Sequence, residues 1–349
     1  RSSPTPITLG IARGGEREAG GVVLESSEFS ESSESSEFSE SSLYSPIIAN
    51  FVPKMSFIMN KLLLYLLLAV LPAHGFAFVP VKDGQFYDSG RPWRAVGVNL
   101  SGAACDKATF HAVAQFGWNS IRLAPTSTKQ LRQLVKWAKR ERLKLCVVVD
   151  AQWCPQDLAD FANKQEIWAW EVTCSEMAEM VKTACPQQLV TLSADQQLST
   201  RVATYADAAL FSKHIDFLAV ALLPIEQKWV AQSNLYLGLR NAYLKTDELL
   251  QALVQRMRLQ VKPIVVAACS YPRDKGFRLP ESATVMRDSY FQFVLQYPQH
   301  PNAGHALGGA YFQEWQPLPQ EGADDAHLTT FSIYPNDTTT QQLVNKYSK

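Results

Sequence analysis

Apolar, β-branched runs alternate with stretches of helical periodicity from about residue 94 to the end of the chain. Eight runs have the length and composition of buried strands: RAVGVNL (94–100), NSIRLAP (119–125), KLCVVVDAQ (144–152), IWAWEVT (167–173), LVTLSA (189–194), DFLAVALLP (216–224), KPIVVAACSY (262–271) and GGAYFQEW (308–315). Between them, Leu131, Leu134, Val135 and Ala138 share one helical face, as do Leu249, Leu250, Leu253, Val254 and Met257. Eight strand–helix units predict an α/β protein, a single (β/α)8 TIM barrel. A doubly wound open sheet is the runner-up. No GxGxxG or GxxxxGK[ST] follows the first strand, so nucleotide binding lacks support. Ahead of that strand, Gly84 and Gly90 bracket Phe86-Tyr87, which fits a small N-terminal β-hairpin able to plug the barrel's N-terminal mouth.

The first 77 residues follow other patterns. Within a leader drawn at residues 1–58, residues 1–54 lack a core-forming pattern, and Glu25 to Ser42 is a Ser/Glu tract with scattered Phe. Such a segment buries too little apolar surface to offset its ordering entropy, so it reads as a disordered or untranslated leader. A phosphorylated acidic arm is the rarer reading. At Met59 a short basic start leads into the apolar run Leu62–Leu71, followed by Pro72 and the small residues Ala73, Gly75 and Ala77. Residues 59–77 thus have the layout of a secretory signal peptide, and the run is shorter than the ~20 residues of a membrane span. A secreted or periplasmic protein is expected, with no membrane span in its mature form. The barrel then occupies residues 78–349.

The 33 Lys and Arg balance the 33 Asp and Glu, and no basic stripe points to nucleic acid. Six cysteines, at positions 105, 146, 154, 174, 185 and 269, include no CxxC pair and no zinc spacing. No metal or cofactor is expected. Export permits one or two disulfides, with Cys146 reading instead as a buried small hydrophobe.

The segment Lys262–Asp274, KPIVVAACSYPRD, carries the most specific motif. Together with GWNSIRL, LCVVVDAQW, IWAWEVTCS, CPQQLVTLS, HIDFLAVALLP and TTFSIYPNDTTTQQLVNKY, in that order, it resembles the secreted endo-β-1,4-mannanase branch of glycoside hydrolase family 5. The resemblance runs from about Phe78 to Tyr347. It implies a retaining mechanism, in which one carboxyl protonates the leaving oxygen and a second, about 5–5.5 Å away, forms the glycosyl-enzyme bond. The resemblance places the acid at Ser175, in the pair Cys174-Ser175, and the nucleophile at Ala268. The strand-six histidine is Ala221, the tryptophan two residues on is Leu223, and the strand-eight tryptophan is Gln313. Five departures fall on one pocket while the barrel pattern survives. Only Cys154 to Glu166 join strands three and four, where the family has a longer excursion that helps build the cleft. No catalytic residue is therefore assigned.

The remaining candidates keep two readings each. Glu176 is the fallback acid; otherwise it is a helix N-terminal glutamate capped by Ser175. Glu314 reads more readily as structural than catalytic. Arg122 occupies the family's strand-two arginine position and, lacking a nucleophile carboxylate, is expected to pair with Glu171 or Glu314. Trp153, Trp229 and Trp315 are candidate sugar platforms or core residues, and Tyr271 joins Arg122 and these three as a candidate substrate contact. Trp170, inside strand four, reads as core. A Cys174–Cys269 bridge across the mouth is a further option, opposed by strand alternation.

Three functions follow as expectations. The first is a secreted, non-hydrolytic homologue, a monomer, that binds β-mannan or a related polysaccharide. The second is an active β-glycosidase with relocated carboxylates. The third is a structural or protein-interaction barrel.

Overall fold

The computed structural model describes residues 78–101, 105–193, 212–258, 261–299, 307–319 and 328–348. The leader and the signal peptide lie outside the described residues. A three-stranded antiparallel sheet comes first: β1 (Val81–Lys82), β2 (Gln85–Asp88) and β3 (Arg91–Trp93). Eight parallel strands follow: β4 (Ala95–Leu100), β5 (Ser120–Leu123), β6 (Lys144–Val149), β7 (Ile167–Val172), β8 (Leu189–Leu192), β9 (Leu218–Leu222), β10 (Ile264–Cys269) and β11 (Leu307–Phe312). Their order, β8-β7-β6-β5-β4-β11-β10-β9, pairs the first strand with the last. That pairing rules out the doubly wound sheet and makes a near-closed (β/α)8 barrel. Every residue of β4, β7, β9, β10 and β11 is buried. Helices cover one face and the barrel interior the other, which is why these strands read as continuous apolar runs.

The described helices are α1 (Lys107–Phe116), α2 (Thr128–Glu141), α3 (Pro155–Ala159), α4 (Ser175–Ala184), α5 (Leu235–Arg258), α6 (Val285–Gln296) and α7 (Thr338–Tyr347). Sequence supplies their ends. Asp106 and Ser127 cap α1 and α2 by accepting from Thr109 N and Gln130 N, and Gly117 ends α1 in the left-handed region. The buried face of α2 is Leu131, Leu134, Val135 and Ala138, as its periodicity predicts. The short α3 makes the β6–β7 connection, with Leu158 and Phe161 buried beneath it.

Between β8 and β9 side chains carry the closure. The Val190 N–H donates to the Asp216 carboxylate at 2.7 Å, Asp216 N–H returns to the Val190 carbonyl at 2.8 Å, and the Thr191 hydroxyl donates to the Phe217 carbonyl at 2.8 Å. Lys182 neutralises Asp216 at 2.7 Å.

The N-terminal sheet plugs the bottom of the barrel through Phe86, which is fully buried against Trp168 and Phe217. Gly308 makes room for it, since a Cβ there would come within 2.3 Å of the Phe86 ring. One level higher, Tyr311 fills the interior, its oxygen 2.6 Å from the Ser120 hydroxyl and accepting from Trp168 Nε1 at 2.9 Å. Gly97 is required there, because a Cβ would lie 2.5 Å from the Tyr311 ring.

Two expectations are corrected. All six cysteines are free, so neither the expected disulfides nor a Cys174–Cys269 bridge forms. Cys269 is buried among strand residues while Cys174 is exposed, as the opposed directions of neighbouring strand positions require.

Candidate functional site

The C-terminal ends of the barrel strands form a mouth with two unlike halves. On one side, β4, β5, β7 and the end of β8 contribute polar groups. Arg122 on β5 meets Glu171 on β7 in a bidentate pair: Nε donates to Oε2 at 2.7 Å and Nη2 to Oε1 at 2.6 Å. Ser193 donates to the same Oε1 at 2.7 Å. Asn99 Oδ1 accepts from Arg122 Nη1 at 3.4 Å, and Asn99 Nδ2 donates to the Ala267 carbonyl on β10 at 3.2 Å. Glu171 is fully buried and Arg122 part-buried. Burial pulls the Arg122 guanidinium down, but the charge and hydrogen bonds of Glu171 outweigh it, so the guanidinium holds its proton above its ordinary value. Of the two expected partners, Glu171 is the one that pairs. It lies two strands across the barrel on the interior face, whereas Glu314 sits beyond the end of β11 with its backbone bonded to Phe331 and Ile333.

On the other side, β9 and β10 present hydrocarbon. Ala221, Leu223 and Ala268 form a small buried apolar cluster of their own. Ala268 and Ala221 are direct partners in the parallel ladder, so two of the positions singled out in the sequence touch. Gln227 seals this edge, donating to the Ala221 carbonyl at 3.1 Å and accepting from Leu223 N at 2.9 Å. Gln313 follows β11, its N–H donating to the Cys269 carbonyl at 2.8 Å.

At the end of β7, Ser175 is exposed as the first residue of α4. The N-cap is Cys174, which corrects the expectation that Ser175 caps the helix. Glu176 is exposed as well. A hydrogen bond from its own backbone, then one from the Cys174 thiol, hold its carboxyl below the usual range. A general acid needs the opposite shift.

The aromatic candidates divide. Tyr271 is fully buried and donates to the Leu235 carbonyl at 2.7 Å. Trp315 is buried edge-on against Phe116. Neither presents an open ring face here, which favours core packing for both. Trp153 is buried at the end of the β6 loop, while Trp229 keeps partial exposure on the loop after β9. Trp170 is core, bonded through Nε1 to Gln188 at 2.7 Å.

The tyrosine-proline-arginine-aspartate exit from β10 has a structural role. Arg273, fully buried, grips both oxygens of Asp337 at 2.9 Å, and Arg287 shares Oδ2 at 2.9 Å. These contacts tie the post-β10 segment to the start of α7. Sequence reasoning missed them, along with the mouth roles of Asn99, Ser193 and Gln227. The one available signal was that Arg273 and Asp337 both fall inside the family-like motifs. Among the described residues no cluster of three or more His, Cys, Asp or Glu has metal-binding geometry.

Fold and mouth together define the class: a (β/α)8 barrel with a polar half-site at its C-terminal mouth. The chain belongs to glycoside hydrolase family 5, in its β-mannosidase-like group, whose profile it matches over residues 152–349. The family 5 mannosidase from Rhizomucor miehei superposes with a TM-score of 0.65 at 15% identity, covering 79% of this chain and 98% of that one. A mutant of that enzyme in complex with mannosyl-fructose gives 0.63 at 14%, covering 79% and 100%. The endo-β-1,4-mannanase from Thermotoga petrophila gives 0.54 at 13%, covering 73% and 76%. At these identities the likeness is one of fold. No curated protein matches the chain in sequence.

Proposed function

We propose that this protein is a non-hydrolytic member of its family that binds β-mannan or a related polysaccharide without cleaving it. One observation carries this reading: the nucleophile position, Ala268, lies in an apolar cluster with Ala221 and Leu223. Retaining hydrolysis needs two free carboxyl groups about 5–5.5 Å apart at this mouth. The carboxylate that does reach it, Glu171, is held by Arg122 and Ser193. Loss of a nucleophile has cost on the order of a millionfold in another hydrolase. The segment from Met59 to Ala77 supports export, and the solved relatives named for mannosidase and mannanase activity support a mannan-type ligand.

The test is release of reducing ends from β-mannan by the purified protein, beside calorimetric titration with manno-oligosaccharides. Binding without release is expected. Release that disappears in Glu176→Gln would overturn the reading in favour of an active enzyme with relocated groups.

The burial of Tyr271 and Trp315 favours a second reading, a barrel that engages proteins rather than sugars. An absence of binding to any polysaccharide on a glycan array would select it.

A further inference from the structure

The opposite, N-terminal end of the barrel holds a cavity of about 360 Å³. Its walls come from parts distant in sequence: Gln85 and Phe86 of β2, Trp93 of β3, Arg94 just before β4, Gly308 of β11, and Tyr347 with Ser348 at the end of α7. Asn119 ties two of these parts to β4. Its Nδ2 donates to the Arg94 carbonyl at 2.9 Å and the Ser348 carbonyl at 3.4 Å, while its Oδ1 accepts from Val96 N at 2.9 Å. The frame is therefore fixed by hydrogen bonds and by the buried Phe86 plug.

Arg94, which lines the cavity, is half-buried, and among the described residues its side chain makes no ion pair or hydrogen bond and no acidic side chain lines the wall. Burial alone lowers the proton affinity of Arg94, the reverse of the net shift at Arg122. A half-desolvated guanidinium with no counter-charge gains when an anion arrives, because much of its own desolvation is already in place. The rest of the wall is largely apolar. Trp93 and Tyr347, both part-exposed, offer flat apolar surface beside Pro92 and Leu307, and Gln85 and Ser348 add hydrogen-bonding groups. The volume falls within the range of small-ligand pockets, about 300–1,000 Å³.

We propose that this cavity is a binding site for a small organic anion with a flat apolar body, an aryl carboxylate in class. Its carboxylate meets the Arg94 fork, and its ring lies against Trp93 and Tyr347. The site is separate from the C-terminal mouth and independent of whether that mouth binds glycan.

The test is calorimetric titration of the full chain with 2-naphthoate, 2-naphthamide and inorganic phosphate. Saturable one-site binding of naphthoate is expected. Naphthamide, of the same shape without charge, should bind about tenfold or more weakly, a difference of about 1.4 kcal/mol. Phosphate, with charge and no ring, should also bind more weakly. Arg94→Met should reduce naphthoate to the level of naphthamide. Equal affinity for the acid and its amide, unchanged binding in Arg94→Met, or no saturation in the millimolar range would each overturn the proposal. Phosphate binding as tight as naphthoate would overturn the role of the aromatic wall. The acid–amide comparison uses the unmodified protein, so the test stands whatever Arg94→Met does to folding.

Discussion

The two ends of this barrel each hold an arginine in a partly desolvated place, and the protein treats the two in opposite ways. At the C-terminal mouth Arg122 is part-buried and fully engaged, with Glu171, Ser193 and Asn99 forming one network around it. At the N-terminal end Arg94 is half-buried, lines a cavity and, among the described residues, meets no acid. A charge that is buried and paired is part of the structure, and its loss leaves a partner stranded. A charge that is half-buried and unpaired contributes little to the fold and remains available to a ligand. The Arg122 end is thus internally satisfied, and at the other end Arg94 has no acidic partner among the described residues.

The sharpest test of that contrast is Glu171→Gln. It leaves the Arg122 guanidinium buried without a counter-charge, so unfolding free energy should fall by about 3–5 kcal/mol. The double change Arg122→Met with Glu171→Leu should recover much of that loss, because both charges leave together. Urea unfolding of the single and double variants checks both numbers. A loss under about 1 kcal/mol for Glu171→Gln would end the view of the pair as structural.

A smaller effect is expected on the apolar half of the mouth. Leu223→Ala should destabilise by about 2–4 kcal/mol, since it removes buried hydrocarbon beside Ala221 and Ala268. Ala268→Glu puts a carboxyl into the same cluster and should cost about 1–3 kcal/mol without producing release of reducing ends, because Glu171 stays held by Arg122 and Ser193. Thermal melts and a reducing-sugar assay read the two outcomes.

Arg94→Met should change stability least, within about 0.5 kcal/mol of the parent, as an unpaired half-exposed charge supports nothing in the fold. Equal losses for Arg94→Met and Glu171→Gln would erase the distinction between the two ends.

The thiols give the finest reading. Burial raises Cys185 to about 12, and burial also raises Cys146 and Cys269 above the ordinary value of 9.0. For a folded value raised above the unfolded one, the stability is complete below the unfolded value and is lost as pH rises toward the folded value. The contribution of these groups should therefore be flat to about pH 9 and fall above it, by roughly 1.4 kcal/mol per pH unit for each fully buried thiol. Denaturant midpoints at pH 8 and pH 10 check this. In the native state Cys154 and Cys174, both exposed, should be alkylated well before Cys146, Cys185 and Cys269.

Much of the fold was legible because buried parallel strands write themselves as apolar runs. Each of the eight runs overlaps an observed strand, and the α2 face was correct at Leu131, Leu134, Val135 and Ala138. The family motifs were legible for a reason the structure explains. Arg273 and Asp337, from KPIVVAACSYPRD and TTFSIYPNDTTTQQLVNKY, grip each other in the core, so those motifs carry packing of their own. The reading of the helix cap at Ser175 was off by one residue, because cap position depends on where β7 releases the chain. The disulfides were misread, because an even cysteine count says nothing about which Cβ vectors meet.

By itself, then, the sequence determined the eight strand–helix units, the plugging hairpin at Phe86, and the absence of carboxylates at positions 175 and 268. It also required that Arg122 find an acceptor, because a part-buried guanidinium without one is too costly to keep. Tertiary structure alone decided that the acceptor is Glu171 rather than Glu314, that Tyr271 and Trp315 turn inward, and that Arg94 lines a cavity with no acid among the described residues. Local patterns record which faces are apolar. Which charges meet is set by the stagger and closure of the barrel, a property of all eight strands at once.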